Sequence, residues 1–168
     1  MNVKTKKIVL SAMLAALTFI ATIIIRVPMP AVGYVNLGDC FVLLCGWVLG
    51  PVYGALAAGI GSAVADLSAG WVAYAPVTFA VKALMAIAAY FIGVKISRSK
   101  ADLVFKAVSA VVAEIIMIGG YFIFEGILYG FGTASMNIAF NAIQGAVGLI
   151  AGLILIKVYS KFIEPMIK

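Results

Sequence analysis

Long apolar blocks, cut by short breaks of Pro, Gly and polar residues, set the pattern of the chain. The first block covers residues 8–25 and closes at Arg26, Pro28 and Pro30. About 20 apolar residues at 1.5 Å each cross a hydrocarbon layer of about 30 Å, so this block predicts a spanning helix. A polar loop follows over 27–38, with Tyr34 and Asn36 in it. Residues 40–67 are again apolar but are divided at Gly50-Pro51. Proline opens helices and disfavours helix in the residue before it, so this run predicts two short helices, 39–49 and 51–67. Residues 68–75 read as a loop carrying Trp71 and Tyr74, and Pro76 opens a fourth helix that runs to 94. A polar stretch, 95–102, precedes a fifth helix over 103–125. A Gly-rich connection over 126–135 leads to a sixth helix, 136–159, and a short basic tail. The expected architecture is an all-α integral membrane protein. It forms a single bundle of six transmembrane helices in one domain, 1–168.

Composition narrows the class further. Hydrophobic types make up 65% and charged types 11%, with mean hydropathy +1.21. Soluble domains are about half apolar and about a quarter charged. An ordinary cytosolic globule and a disordered tail are both excluded. The net charge of +6 does not signal nucleic acid, because the cations stand at helix ends rather than along one stripe. Their placement is informative in another way. Lys4, Lys6 and Lys7 precede the first span, and Lys95, Arg98, Lys100 and Lys106 surround the connection between spans four and five. Lys157, Lys161 and Lys168 close the chain. Six spans put these three groups on one side. The positive-inside rule then places both termini in the cytoplasm. Of the other two cations, Arg26 ends the first helix on the outer side and Lys82 lies within the fourth. The basic start followed by an apolar run resembles a signal peptide. The run is too long and no clear A-x-A site follows, so it reads as a retained span.

Several chemistries are missing from the sequence. It has no histidine, which excludes the usual Ser-His-Asp and Cys-His sites. Cys40 and Cys45 are five apart in an apolar run, not at a metal-ligand spacing, and read as small buried hydrophobes. There is no G-x-S-x-G, H-E-x-x-H or Walker sequence. No convincing internal repeat marks a transporter that works alone. The chain reads as a binder that needs a separate motor.

Small residues recur every four positions at Gly46, Gly50, Gly54, Ala58 and Ser62, and again at Gly148 and Gly152. Such spacing lets helix backbones approach closely in lipid, and internal packing is the favoured reading. Ala12 and Ala16 form a similar stripe on the first helix. It serves equally well for internal packing or for docking a partner.

Polar residues within apolar helices carry the most information. A lysine at a helix centre costs about 2.5–3.5 kcal/mol on insertion scales, so Lys82 calls for a cavity or a partner. It lies about 9 Å from the outer end of its helix, and Asn141 lies about 8 Å from the outer end of helix six. Tyr74, Thr78 and Lys82 share one face at a spacing of four. Asn137, Asn141 and Gln144 share another, and Tyr121 and Glu125 are one turn apart on helix five. Polar chemistry therefore converges in the outer half of the membrane. The competing reading is a set of interhelical bonds with Lys82 paired to Glu114 or Glu125. Asp66 reads as a cap or solvated end, and Asp39 as an N-cap or a ligand group. Tyr34, Trp71, Tyr74 and Tyr129 read as an interfacial belt or as the wall of an outward-facing pocket.

These segments resemble a known family. The Ala12-x-x-x-Ala16 stripe, the Val35-Asn-Leu-Gly-Asp39 loop, Gly50-Pro-Val-Tyr-Gly54, Ala65-Asp66-Leu67 and Tyr74-Ala-Pro-Val-Thr-Phe79 leading to Lys82 are similar to the S components of energy-coupling factor (ECF) vitamin transporters. They are nearest the riboflavin and hydroxymethylpyrimidine branch. The resemblance implies a high-affinity vitamin-binding subunit in a bacterial plasma membrane. It would dock on a membrane T component with two ATPase subunits, which use the ATP, and would need no cofactor, metal or nucleic acid itself. It moves Ala12 and Ala16 toward the docking role. It also implies a pocket from the first outer loop and the outer parts of helices four to six, which gives Asn36, Tyr74, Thr78, Lys82, Tyr121, Glu125, Asn137, Asn141 and Gln144 as substrate-binding residues. Amides and a lysine beside aromatic rings suit a small heteroaromatic ring, either a thiamine-precursor pyrimidine or a vitamin B6 form, with riboflavin as the alternative. An intramembrane enzyme is a reading of another class, with Lys82 and Glu114 as its one acid–base pair; a membrane assembly factor is a further one.

Overall fold

The computed structural model describes residues 2–97 and 102–167. Six helices form the bundle: α1 (Val3–Ile24), α2 (Asp39–Leu49), α3 (Pro51–Ser68), α4 (Ala75–Tyr90), α5 (Leu103–Tyr129) and α6 (Phe131–Val158). A short antiparallel hairpin, β1 (Arg26–Pro28) and β2 (Tyr34–Asn36), joins α1 to α2. The helix boundaries follow local chemistry. Asn2 caps α1 by accepting from the Lys4 amide, and Asp102 caps α5 by accepting from the Val104 and Phe105 amides. Proline stands in the first turns of α3 and α4. The helices α4 and α6 each run on into one wider π turn, Phe91–Lys95 and Tyr159–Ile163. Arg98, Lys100 and Lys168, counted in the charge pattern, lie outside the described residues.

Two sequence expectations need correction. Residues 126–135 are not a loop. The helix α5 continues to Tyr129 and α6 begins at Phe131, so Gly130 alone turns the chain, at φ 89°. Glycine tolerates that left-handed conformation because it has no Cβ. Gly126 lies within α5, and its lack of a side chain lets α6 come close: an added Cβ would stand 2.3 Å from the Phe131 ring. Residues 27–38, read as a plain polar loop, form the hairpin that folds over one end of the bundle.

The helix α2 is the centre of the fold. Its 11 residues span only about 16 Å, short of a full crossing. Nine of them, Asp39, Cys40, Val42, Leu43, Leu44, Cys45, Gly46, Trp47 and Leu49, are buried, as a helix apolar all round requires. The long helices α1, α4, α5 and α6 are apolar enough to cross a membrane. They turn residues such as Ile24, Leu84, Ile115, Ile127, Ile143 and Ile150 outward. On α3 the outward stripe is Val52, Leu56, Ile60, Val64 and Leu67, while Ala58, Gly61, Ser62 and Ala65 face in.

The small-residue stripes serve internal packing. A Cβ on Gly46 would meet the Ala86 carbonyl of α4 at 2.2 Å, and one on Gly54 the Cys45 carbonyl at 2.6 Å. Gly61 faces the Ala15 carbonyl of α1 at 2.4 Å. Since α1 packs on α3 through Ala15 and Thr18, Ala12 and Ala16 are left exposed. Gly46→Ala is expected to lower stability by about 1–3 kcal/mol, as overpacking against backbone does. Gly119→Ala meets nothing within 4 Å and is expected to leave it unchanged or raised. Thermal unfolding in detergent compares the two.

Candidate ligand-binding cavity

At the hairpin end, opposite both termini, twelve residues line a cavity: Met29, Gly33, Tyr34, Asn36, Asp66, Trp71, Tyr74, Thr78, Tyr121, Glu125, Asn141 and Gln144. The hairpin supplies one wall, the α3–α4 turn with α4 a second, and α5 with α6 the third. The cavity volume is about 30 Å³, room for about two waters. A ring-sized ligand therefore enters only if part of the wall yields.

The aromatic wall is continuous. Trp71 meets Tyr34 at 6.2 Å between ring centroids and Tyr74 edge-on at 5.4 Å, and Tyr74 lies 6.4 Å from Tyr121. Three polar clusters fix it. Tyr34 donates to Asp66 Oδ1 at 2.6 Å. Burial and that carboxylate hold the Tyr34 hydroxyl above its ordinary range, so it remains a donor at neutral pH. Thr78 and Tyr121 share a hydroxyl bond of 3.1 Å. Glu125 accepts from Tyr74 at 3.3 Å and from Asn137 at 2.9 Å, and Asn137 also donates to the Val32 carbonyl of the hairpin at 2.8 Å.

Below this layer lies a buried relay. Gln144 Oε1 accepts from the Asn36 amide at 2.8 Å, and Gln144 Nε2 donates to Asp39 Oδ2 at 2.7 Å. The other oxygen of Asp39 accepts from Lys82 in an ion pair whose side chains are 3% and 0% exposed. This corrects the expected pairing of Lys82 with Glu114 or Glu125. The hairpin folds over the start of α2 and sinks Asp39 to the depth of Lys82. Asp39 is neither a free cap nor a surface group, and it has no side-chain capping bond. Asp66, expected as a cap or solvated end, is 6% exposed and receives Tyr34. Glu114 is 5% exposed, and among the described residues neither of its oxygens has a hydrogen-bond partner.

Seven of the nine sequence-derived site residues, Asn36, Tyr74, Thr78, Tyr121, Glu125, Asn141 and Gln144, line the cavity. Lys82 sits one layer down, its Nζ 5.6 Å from the Tyr121 ring centre, and Asn137 sits behind Glu125. Asn141, 4% exposed, takes part in none of the clusters that hold its neighbours. Sequence reasoning did not single out Met29 and Gly33, because no pattern marks a three-residue strand or its turn. No group of three or more His, Cys, Asp or Glu side chains that could hold a metal ion occurs among the described residues.

Residues 2–161 match the family described as "ECF-type riboflavin transporter, S component". The chain belongs to this family of ECF transporter S components. Two curated relatives agree in extent. An uncharacterized protein of Pyrococcus woesei is 29% identical over 150 residues, covering 89% of this chain and 98% of the relative. The thiamine precursor transporter HmpT of Lactococcus lactis is 29% identical over 165 residues, covering 97% and 90%. A solved S component of a bacterial ECF transporter superposes with TM-score 0.77 at 24% identity, covering 96% of this chain and 99% of that one. The fold is therefore that of an ECF S component, a multi-pass membrane subunit of a vitamin transporter.

Proposed function

We propose that this S component captures a thiamine-precursor pyrimidine, with a vitamin B6 form as the chemically nearest substitute, in the cavity beneath the hairpin. The observation that carries the reading is the cavity itself. The amide of Asn141, one donor group and one acceptor, lines the cavity together with the rings of Trp71, Tyr74 and Tyr121, which matches a flat ring that carries donors and acceptors. The relative named for a thiamine precursor supports the same class. Riboflavin is the second reading, favoured by the name of the family.

In this proposal both termini face the cytoplasm of a bacterial plasma membrane and the cavity faces outward. Partner T and ATPase subunits supply the energy, and Ala12 and Ala16 offer the exposed docking stripe. The protein is a binding subunit rather than an enzyme. The Lys82–Glu114 pair on which an enzyme reading rests stands apart from the cavity wall. Nor does the proposal include a cofactor.

Titration calorimetry on the purified protein with hydroxymethylpyrimidine, pyridoxine and riboflavin tests the substrate. Hydroxymethylpyrimidine is expected to bind most tightly. Asn141→Ala is expected to weaken it about 10- to 100-fold, the loss of one or two hydrogen bonds at about 1–3 kcal/mol. Riboflavin binding alone would establish the second reading. Unchanged affinity in Asn141→Ala would place the ligand elsewhere.

A further inference from the structure

Another cavity lies at the opposite end, beside the termini, and measures about 340 Å³. Every helix of the bundle brings an end to it, α3 with Pro51. Lys7 comes from the second turn of α1 and Lys106 from the first turn of α5. Tyr90 comes from the end of α4, and Tyr159, Ser160 and Glu164 follow α6. These are helix-end positions, so the cavity sits at the membrane–water boundary. It is separate from the proposed ligand site and does not depend on that reading.

We infer that this cavity binds an anionic phosphate group, supplied by the headgroup of an acidic phospholipid. Three observations support the chemistry. First, Lys106 is 3% exposed yet forms part of the wall of an open cavity. A lysine so placed brings its charge to a site rather than to bulk water. Second, Lys7 lines the same cavity, its Nζ 4.9 Å from the Tyr53 ring centre. Tyr90, Tyr159 and Ser160 line it as well, and their hydroxyls are donors a phosphate oxygen takes. Third, the charge balance is positive. Lys4 and Lys6 on α1, Lys95 after α4, and Lys157 and Lys161 at the end of α6 belong to the same helix ends. The described carboxylates here are Asp102 and Glu164, both near enough to act on Lys106. Asp102 caps α5, and Glu164 lines the cavity itself, one carboxylate against two wall lysines.

The surroundings favour a lipid over a free anion. Val52, Phe91, Val104 and Phe162 are large apolar residues exposed on the helix ends around the cavity, at 64%, 39%, 71% and 56%. An acyl chain hanging from a phosphate in the cavity runs along that surface. Basic pockets between helices at this depth are the usual setting for acidic headgroups.

The test is native mass spectrometry of the delipidated full chain titrated with phosphatidylglycerol, with phosphatidylcholine, and with phosphatidylglycerol against millimolar inorganic phosphate. The expected result is one phosphatidylglycerol retained in preference to phosphatidylcholine, weakened at least tenfold in Lys7→Gln/Lys106→Gln. Lys106→Arg is expected to retain it. If Lys106→Gln does not fold, Lys7→Gln on the Lys106→Arg background reads the same loss. Displacement by inorganic phosphate would show that the site takes phosphate from either source. Resistance to it would show that the lipid chain contributes. Equal retention of phosphatidylcholine, or undiminished phosphatidylglycerol binding in the lysine variants, would overturn the inference.

Discussion

Lys82→Met is expected to lower the stability of the folded protein by about 3–5 kcal/mol, because it strands Asp39 as a buried charge without its cation. Asp39 is fully buried and holds both Lys82 and Gln144, so no water is at hand to replace the ammonium. The companion Lys82→Met/Asp39→Leu variant removes both charges together. It is expected to recover most of the loss, since a buried ion pair replaced by apolar residues of similar size is often neutral. Unfolding in detergent, followed by circular dichroism, gives the three values. A further arm measures ligand affinity. If Lys82 were instead a direct ligand contact, Lys82→Met would weaken binding while leaving stability within about 1 kcal/mol, and the double variant would rescue nothing. The relay from Lys82 through Asp39 and Gln144 to the Asn36 amide makes a further point. The hairpin that closes the cavity is fastened to the most buried charge in the bundle.

Ala12→Trp/Ala16→Trp is expected to abolish vitamin uptake by cells while leaving ligand affinity of the purified protein within about twofold. Both alanines are exposed on α1, on a side that α3 does not cover, and neither approaches the cavity. Two indoles there change the outer surface without entering the core, so stability is expected to hold. Small-residue stripes let helices approach closely in lipid, and bulk on such a stripe holds them apart. Copurification of a T component and the ATPase subunits with the wild type, and their loss from the variant, reads the same effect directly. Normal uptake by the variant would remove the docking role from this stripe.

The parts of the fold written in local chemistry were legible in the sequence. Gly50-Pro51 and Pro76 mark real helix starts, and the helix-period placement of Asn137, Asn141 and Gln144 puts all three on one buried face. Positions decided by contacts distant in sequence were not legible. Asp39 and Lys82 are 43 residues apart, and in the sequence Asp39 reads as an N-cap or a ligand group while Lys82 pairs with Glu114 or Glu125. The start of α2 lies below the hairpin, which buries Asp39. The hairpin itself has three-residue strands, too short for any alternation to show. Gly126 and Gly130 look alike as loop formers. One is helical and makes room for the Phe131 ring, and the other is the turn. Five of the six acidic residues stand in or at the ends of apolar helices, and sequence could not say which of them meets Lys82.

The most direct test of the central claim is mass spectrometry of small molecules released from the purified protein after expression in cells supplied with vitamins. The Asn141→Ala/Trp71→Ala variant is carried alongside. The account predicts a stoichiometric thiamine-precursor pyrimidine, or a B6 vitamer in its place, from the wild type and little or none from the variant. Equal amounts of one compound from both proteins, or no compound from the wild type together with no heat of binding for any of the three vitamins, would contradict it.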